Sequence, residues 1–189
     1  RWGFQIRSNR GRDDYSQLVA LNQAMELSGS ALKNALDDII DVDQWMRTFA
    51  MMSLNGTDDV YSRIWEHNFR YYVRPTDGKI LIFQWDLDRS FQLGTNSSVT
   101  PSRNSVVKLF SIPEYRRRFD GQLNDLIETT FNSAYTTSWA SHFTTLTGDN
   151  LNGLPGYISS RATHVENSLP AQIPFVITTN GGNDFSEAD

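Results

Sequence analysis

Near the middle of the chain, two runs of β-forming residues, 69–73 and 80–85, flank the turn sequence Pro-Thr-Asp-Gly at residues 75–78. Proline presets φ in such a turn, and glycine accepts the positive φ that the turn requires. Two strand-like runs joined in this way predict a β-hairpin. The second run is almost wholly apolar from residue 80 to residue 83, which is typical of a strand buried in the protein interior.

Most of the remaining chain repeats its apolar residues at the spacing of an amphipathic α-helix. Six stretches show this pattern: residues 15–25, 31–40, 42–52, 113–127, 134–146 and 157–165. At the ends of the third stretch, Asp41 is suited to act as an N-cap, and Asn55-Gly56 suits the end of a helix. We therefore expect an α+β fold that is mostly helical, with the hairpin at its centre.

Two stretches differ in composition from these elements. Residues 95–104 are rich in Ser, Thr, Asn and Pro, which predicts a mobile surface loop that is either a plain connection or a lid contacting substrate. Residues 170–189 contain a strand-like run at 174–179, and we interpret them as a linker or the first strand of a following β module. Because the chain begins without a methionine, we interpret it as a piece of a longer protein.

The composition argues against several classes of function. With 189 residues, 39% of them hydrophobic and 12% aromatic, the chain can bury a substantial core. Its net charge of -5 argues against a nucleic-acid binder that relies on neutralising phosphates. No apolar run is long enough to cross a membrane. The absence of cysteine excludes disulfides, thiolate catalysis and zinc–thiolate sites.

Polar side chains concentrate where the predicted hairpin opens. His67 and Asn68 precede its first strand, and Asp86 and Asp88 follow its second. Since a tight turn brings the two open ends of a hairpin together, we expect these side chains at one edge. Residues 58–59, two aspartates just past the third predicted helix, are able to reach the same place.

This polar group has two interpretations. Asp and Asn side chains often bond nearby backbone amides, which would make the group a set of turn and strand-end caps. Carboxylate and amide oxygens are also the ligands that hold Mg²⁺ or Mn²⁺ beside a phosphate. Asp86 favours the second interpretation, because a carboxylate at the end of a buried strand must be paired, hydrogen-bonded or metal-bound.

The order of these motifs resembles the CotH kinase family, the atypical protein kinases of the spore-coat-protein-H type. The resemblance rests on the helix sequence DVDQWMRTFAMMSLNG, an Asp shortly after it, the pattern HN-x-x-YY, a turn ending in Gly-Lys, and WDLD-x-x-F-x-x-G. It covers residues 41–127, and residues 1–40 are similar in style to large, secreted, multidomain bacterial members.

The resemblance implies an extracellular or cell-surface enzyme that moves the γ-phosphoryl group of ATP onto Ser or Thr hydroxyls of proteins, with Mg²⁺ or Mn²⁺ as cofactor. Such chemistry needs a metal held by carboxylate and amide oxygens and a carboxylate that orients the attacking hydroxyl. The implied site residues are Asp58 or Asp59 as the catalytic aspartate, Asn68, Asp86 and Asp88 at the metal, and His67, Asn68 and Asp86 at the nucleotide.

The chain departs from the family pattern in two respects. Residues 60–66 look like an insertion, which leaves the choice between Asp58 and Asp59 open. There is neither a Gly-rich nucleotide loop nor a strand lysine to hold the α- and β-phosphates; in the family, these lie N-terminal to this region. We therefore expect residues 1–169 to be a kinase-like carboxyl-terminal lobe, weak or inactive without the rest of its parent protein.

Two other functions remain open. A kinase-like lobe without catalytic power would serve as a surface or coat-assembly binding module, which the polar loops and the β-like tail favour. A carboxylate hydrolase would use Asp86 and Asp88, since strand positions two apart share a face, provided that the second strand extends that far. Two acids so close would repel each other, which suits a metal better than a glycosidase pair.

Overall fold

A computed structural model describes residues 5–7, 11, 13–63 and 67–171 of the chain. This part contains seven α-helices and one two-stranded antiparallel sheet, which confirms the expected mostly helical α+β fold with a central hairpin. The elements are α1 (Ser16–Glu26), α2 (Gly29–Ile39), α3 (Val42–Leu54), β1 (Phe69–Val73), β2 (Ile80–Gln84), a short 3-10 helix (Leu87–Arg89), α4 (Asn104–Phe110), α5 (Pro113–Thr129), α6 (Ser133–Thr147) and α7 (Leu154–Ser168). The strand-like run predicted at 174–179 lies outside the described residues.

Helix α3 occupies the centre of the fold. Asp41 caps it as predicted, because its Oδ1 accepts a hydrogen bond of 3.2 Å from the backbone amide of Gln44. At the other end, Gly56 takes the left-handed conformation, with φ of 57°. The apolar side of α3 is buried against α5 and β2, and it includes Trp45, Met46 and Phe49. Burial of these large side chains supplies much of the hydrophobic driving force for the fold.

The hairpin is attached to α3 through the outer edge of β2. Tyr71 of β1 pairs with Ile82 of β2, and the turn at 75–78 closes with Gly78 at a φ of 73°. On the far edge of β2, the Trp45 indole donates to the Ile80 carbonyl over 2.8 Å. The Gln44 amide both accepts from Ile82 N–H, at 3.0 Å, and donates to Ile82 C=O. Side chains of α3 therefore satisfy this strand edge, as a third strand would.

The hairpin is covered on one face only. Ile80 and Ile82 are fully buried, whereas Phe83 is 46% exposed and Trp85 is 54% exposed. The expectation that residues 80–83 form a wholly buried strand is therefore wrong. A continuous apolar run and an alternating one are hard to separate when the outward positions also carry apolar side chains. Asp86, which follows shortly after, is exposed as well, so the expectation that burial forces a partner on its carboxylate does not hold.

Two arginines hold the polar loop that follows the hairpin. The Arg161 guanidinium is fully buried and donates to the carbonyl oxygens of Ser53, at 2.8 Å, and Thr95, at 3.0 Å. Arg63 donates to the carbonyl oxygen of Ser98 over 2.8 Å. Burial, together with the nearby positive charge of Arg161, lowers the pKa of Arg63 to about 10. The loop predicted at 95–104 ends one residue earlier than expected, because Asn104 begins α4.

In the described part of the chain, no helix is both long enough and apolar enough to cross a membrane.

Candidate functional site

Three segments meet beside the open end of the hairpin. The backbone amide of Trp85 donates to the Asn68 carbonyl over 3.2 Å, which joins the start of β1 to the residue after β2. The segment that follows then runs along the end of α3: Phe91 donates to Asn55 over 2.6 Å, and Leu93 donates to Gly56 over 3.0 Å. The turn after α3 and both hairpin ends are thereby fixed to one another.

Asp59 is in direct contact with both residues that precede β1. The Nε2 atom of His67 pairs with its Oδ1 atom. The Asn68 amide donates to the Asp59 backbone carbonyl over 2.9 Å and to its Oδ2 atom over a longer 3.4 Å. The predicted grouping of an imidazole, an amide and a carboxylate therefore occurs here, on a surface that is only partly buried.

Asp58 faces a different partner. Its two carboxylate oxygens accept hydrogen bonds of 2.8 and 2.6 Å from the Nε and a terminal nitrogen of Arg89. This two-point pairing is the strongest geometry for an arginine and a carboxylate. The hydrogen bonds from Arg89 lower the pKa of Asp58 from its ordinary value. Neighbouring aspartates in the sequence thus have separate partners: Asp58 is held by an arginine, and Asp59 by His67 and Asn68.

Arg89 was not singled out from the sequence. Its only signal is its position directly after the WDLD motif, on the 3-10 helix Leu87–Arg89. Its partner Asp58 is 31 residues away, and no local pattern connects the two. Asp58 raises the pKa of the Arg89 guanidinium, with smaller contributions from the nearby Asp59 and Asp88 charges. Arg89 is therefore the cation that offsets the acidic groups of this site.

Asp86 and Asp88 occupy different kinds of backbone. Strand β2 ends at Gln84, so the two-residue strand period does not extend to these carboxylates. Asp86 is left-handed, with φ of 57° and ψ of 67°, and Asp88 lies within the 3-10 helix. Among the described residues, none forms a hydrogen bond or an ion pair with the Asp86 carboxylate. The condition on which a two-carboxylate hydrolase depended, a strand that continues to Asp88, is not met.

Left-handed residues concentrate at this site. Of four described non-glycine residues with positive φ, three lie here: Asn68, Asp86 and Phe91. Asn and Asp tolerate this conformation, but it is unfavourable for a bulky residue such as Phe91. The surrounding contacts compensate: Phe91 donates its N–H to Asn55, and its ring packs edge-on against Tyr157 at 5.3 Å. Strained backbone held by tertiary contacts is common at functional sites.

Comparison with known protein families identifies the family of this chain. The sequence matches the CotH kinase protein family over residues 4–176. The chain belongs to the CotH kinase family. The match spans all seven helices and the hairpin, so this CotH domain includes α1, α2, α6 and α7 as well as the motif region 41–127. Family membership suggests a kinase-like function. No curated protein matches the sequence.

Carboxylate and amide oxygens, which Asp86 and Asn68 carry, are the donor types that a hard divalent cation takes in proteins. Within the described residues, no group of three or more His, Cys, Asp or Glu side chains is arranged to hold a metal. A magnesium–nucleotide site does not need one, since Mg²⁺ usually takes one or two protein carboxylates together with waters and substrate phosphates. No described donor engages the amide oxygen of Asn68 or the carboxylate of Asp86. The Trp85–Asn68 backbone bond places Asn68 next to the residue that directly precedes Asp86.

Proposed function

We propose that this chain is the metal-binding catalytic lobe of an enzyme that transfers the γ-phosphoryl group of ATP to Ser or Thr hydroxyls of secreted or surface proteins. Membership of the CotH kinase family supports a phosphotransferase. The observation that carries the proposal is the position of Asn68. Its amide nitrogen holds Asp59, no described donor engages its amide oxygen, and its backbone carbonyl bonds Trp85, the residue before Asp86.

In this proposal, Asp59 orients the attacking hydroxyl. Both oxygens of Asp58 are already committed to Arg89 at hydrogen-bonding distance. Asp59, in contrast, has one oxygen paired with His67, while its other oxygen makes only a 3.4 Å contact with Asn68. That second oxygen is the better acceptor for a substrate hydroxyl, because accepting it requires no ion pair to break.

Asn68 and Asp86 would hold Mg²⁺ or Mn²⁺, and Asp88 would add negative charge close by. When bound, the metal neutralises the charge that develops on the transferring phosphoryl group. His67 fixes the orientation of Asp59 beside the nucleotide. The Asp58–Arg89 pair holds the turn after α3 against the 3-10 helix, so Asp58 and Arg89 are positioning residues.

Calorimetric titration with Mn²⁺ and ATP tests the metal site. We expect binding by the wild-type chain to weaken by about tenfold or more in Asp86→Ala and in Asn68→Ala, since each removes a metal ligand. Asp77→Ala is the matched control, because it removes an exposed aspartate at the opposite end of the same hairpin. Equal affinity of Asp86→Ala and the wild type for Mn²⁺ and ATP would contradict the proposal.

Phosphoryl transfer by the intact parent protein tests the choice of catalytic aspartate. Asp59→Asn keeps the shape of the side chain but removes the charge that orients the hydroxyl, so we expect the rate to fall by about a hundredfold or more. Asp58→Asn should act mainly on stability. A greater loss of rate in folded Asp58→Asn than in Asp59→Asn would reverse the assignment.

A second function, a kinase-like binding module without catalysis, is favoured by the positions of the lysines, because each of them is either engaged elsewhere or far from the open end of the hairpin. The sequence has three, Lys33, Lys79 and Lys108. Lys33 pairs with acidic groups at 2.6 and 3.1 Å, and Lys108 donates to a helix-end carbonyl over 2.6 Å. Lys79 follows the hairpin turn, far from the open end. This alternative predicts no ATP turnover by the intact parent with any divalent metal, and measurable turnover would exclude it.

A further inference from the structure

Helix α6 carries its large apolar side chains on the outside. Four of them are exposed, at 47% for Tyr135, 48% for Trp139, 43% for Phe143 and 70% for Leu146. Their spacing of four, four and three residues places them on one face of the helix. Trp139 and Phe143 lie nearly parallel, with ring centroids 6.1 Å apart. The four exposed side chains form a continuous stripe, which we name the α6 stripe.

The opposite face of α6 contains small and hydroxylated residues. Ala140 is the one residue of this helix that is buried. Several of its threonine hydroxyls bond back to carbonyls of their own helix, among them Thr137 to Ser133 and Thr145 to Ser141. A surface helix ordinarily buries its large apolar residues and exposes its small polar ones. The reversed pattern in α6 marks the stripe as a docking surface.

The nature of the occupant follows from charge. No Asp, Glu, Lys or Arg occurs between Glu128 and Asp149, a stretch that includes all of α6. Such a surface cannot form an ion pair with a charged partner. Burying the charges of that partner against it would therefore cost free energy. One other part of the chain has the same character: between Glu166 and Asp184 there is no charged residue, and residues 173–177 read Ile-Pro-Phe-Val-Ile.

The end of α7, from which that second segment continues, lies near the start of α6. Helices α6 and α7 pack against each other and are joined by the short connection 148–153, so they run in opposite directions. The end of α7 therefore lies beside the beginning of α6, close to Tyr135. From Tyr135 to Leu146 the stripe extends about 16 Å at the rise of an α-helix. Residues 172–177 span up to about 20 Å when extended, enough to follow it.

We propose that residues 173–177 pack along the α6 stripe. The family match supports this, because it continues to residue 176 and so takes in most of this apolar run. In this arrangement, Phe175 and its neighbours cover Trp139 and Phe143, and the run completes the CotH domain on its α6 side. The inference uses none of the residues of the candidate site, and it does not depend on phosphoryl transfer.

Hydroxyl-radical footprinting of the full chain, read by mass spectrometry, tests the proposal. The variant Phe175→Ser/Ile177→Ser should raise the labelling of Trp139 several-fold, because its ring loses its cover. Trp85, which is exposed on the hairpin, should label equally in both proteins. Phe185→Ser is the matched control variant, since it removes an aromatic ring beyond the proposed contact. We expect it to label Trp139 as the wild type does.

The reciprocal variant guards against a folding artefact. Trp139→Gln alters an exposed position and should increase labelling of Phe175 in an otherwise unchanged protein. Equal labelling of Trp139 in the wild type and in Phe175→Ser/Ile177→Ser would overturn the proposal. It would also be overturned if protection of Trp139 appeared only as concentration rises and light scattering showed a dimer, because a second copy would then be the occupant.

Discussion

Replacing Gly56 by alanine tests how firmly α7 holds the turn that leads to the candidate catalytic aspartate. Gly56 has a φ of 57°, and a Cβ atom built on it would clash with the hydroxyl oxygen of Tyr157. That hydroxyl is not free to swing away without cost. It donates to the Leu93 carbonyl over 2.9 Å, and its ring packs against Phe91. The alanine must therefore displace Tyr157 and break its hydrogen bond.

The expected cost has two parts. A residue with a Cβ in the left-handed conformation loses about 1–2 kcal/mol. Loss of the Tyr157 hydrogen bond adds about 1 kcal/mol. Gly29 separates the two parts, since it has almost the same φ, 59°, but a Cβ atom placed there would meet nothing within 4 Å. Gly29→Ala should therefore show the backbone cost alone, and Gly56→Ala should be less stable than Gly29→Ala by about 1 kcal/mol.

Urea unfolding of four variants measures these terms: Gly29→Ala, Gly56→Ala, Tyr157→Phe and the double variant Gly56→Ala/Tyr157→Phe. In the wild type, Tyr157→Phe should cost about 1 kcal/mol, the value of one hydrogen bond. In the Gly56→Ala background it should cost almost nothing, because that bond is already broken and the clashing oxygen has gone. The double-mutant cycle should thus give a coupling of about 1 kcal/mol.

Two results together would refute the reasoning. One is equal destabilisation by Gly56→Ala and Gly29→Ala, within about 0.5 kcal/mol, the usual error of such comparisons. The other is a cost of Tyr157→Phe that is the same with and without the alanine. Both would mean that Tyr157 yields freely and that α7 does not constrain the turn after α3.

Three further predictions concern stability measured by urea unfolding. Arg161→Met leaves buried carbonyls without donors and should cost about 3 kcal/mol or more, whereas Arg47→Met, at an exposed ion pair, should cost less than about 1 kcal/mol. Because the folded pKa of Asp58 is lowered, its pair with Arg89 stabilises the fold above the ordinary aspartate pKa and loses this effect as pH falls through the lowered value. The stability difference between the wild type and Arg89→Met should therefore be largest above about pH 5 and shrink in acid. Asp41→Ala should cost about 1 kcal/mol more than Asp41→Asn, because asparagine still caps α3. Equal costs of Arg161→Met and Arg47→Met, or of Asp41→Ala and Asp41→Asn, would contradict the corresponding contact. For Arg89→Met, a stability difference that does not change with pH would do so.

Local chemistry made much of the fold predictable. Asp41 and Gly56 mark the two ends of α3 as expected, since an N-cap acceptor and a left-handed glycine affect only the few residues next to them. The hairpin and its turn at 75–78 were likewise predictable, and so was the meeting of Asn68 with the end of β2. An antiparallel pair joined by a tight turn brings its ends together whatever surrounds it.

Long-range pairing was not predictable in the same way. Arg89 and Asp58 are 31 residues apart, and Arg161 reaches Ser53 across 108 residues. A charged residue in a sequence does not reveal whether it meets water, an acid or a row of carbonyls, because that depends on which elements pack together. The separate partners of Asp58 and Asp59 depend on the same information, since both residues are acidic and adjacent in the sequence.

The sequence by itself determined where helices and strands form, which motifs flank the hairpin and which family the chain resembles, because these depend on local propensity, periodicity and residue order. The tertiary structure decided which faces are covered. It leaves one side of the hairpin and the α6 stripe exposed, buries Arg161 and divides Asp58 from Asp59. Burial and pairing are properties of surfaces that meet only when distant segments pack together, and a linear pattern does not contain them.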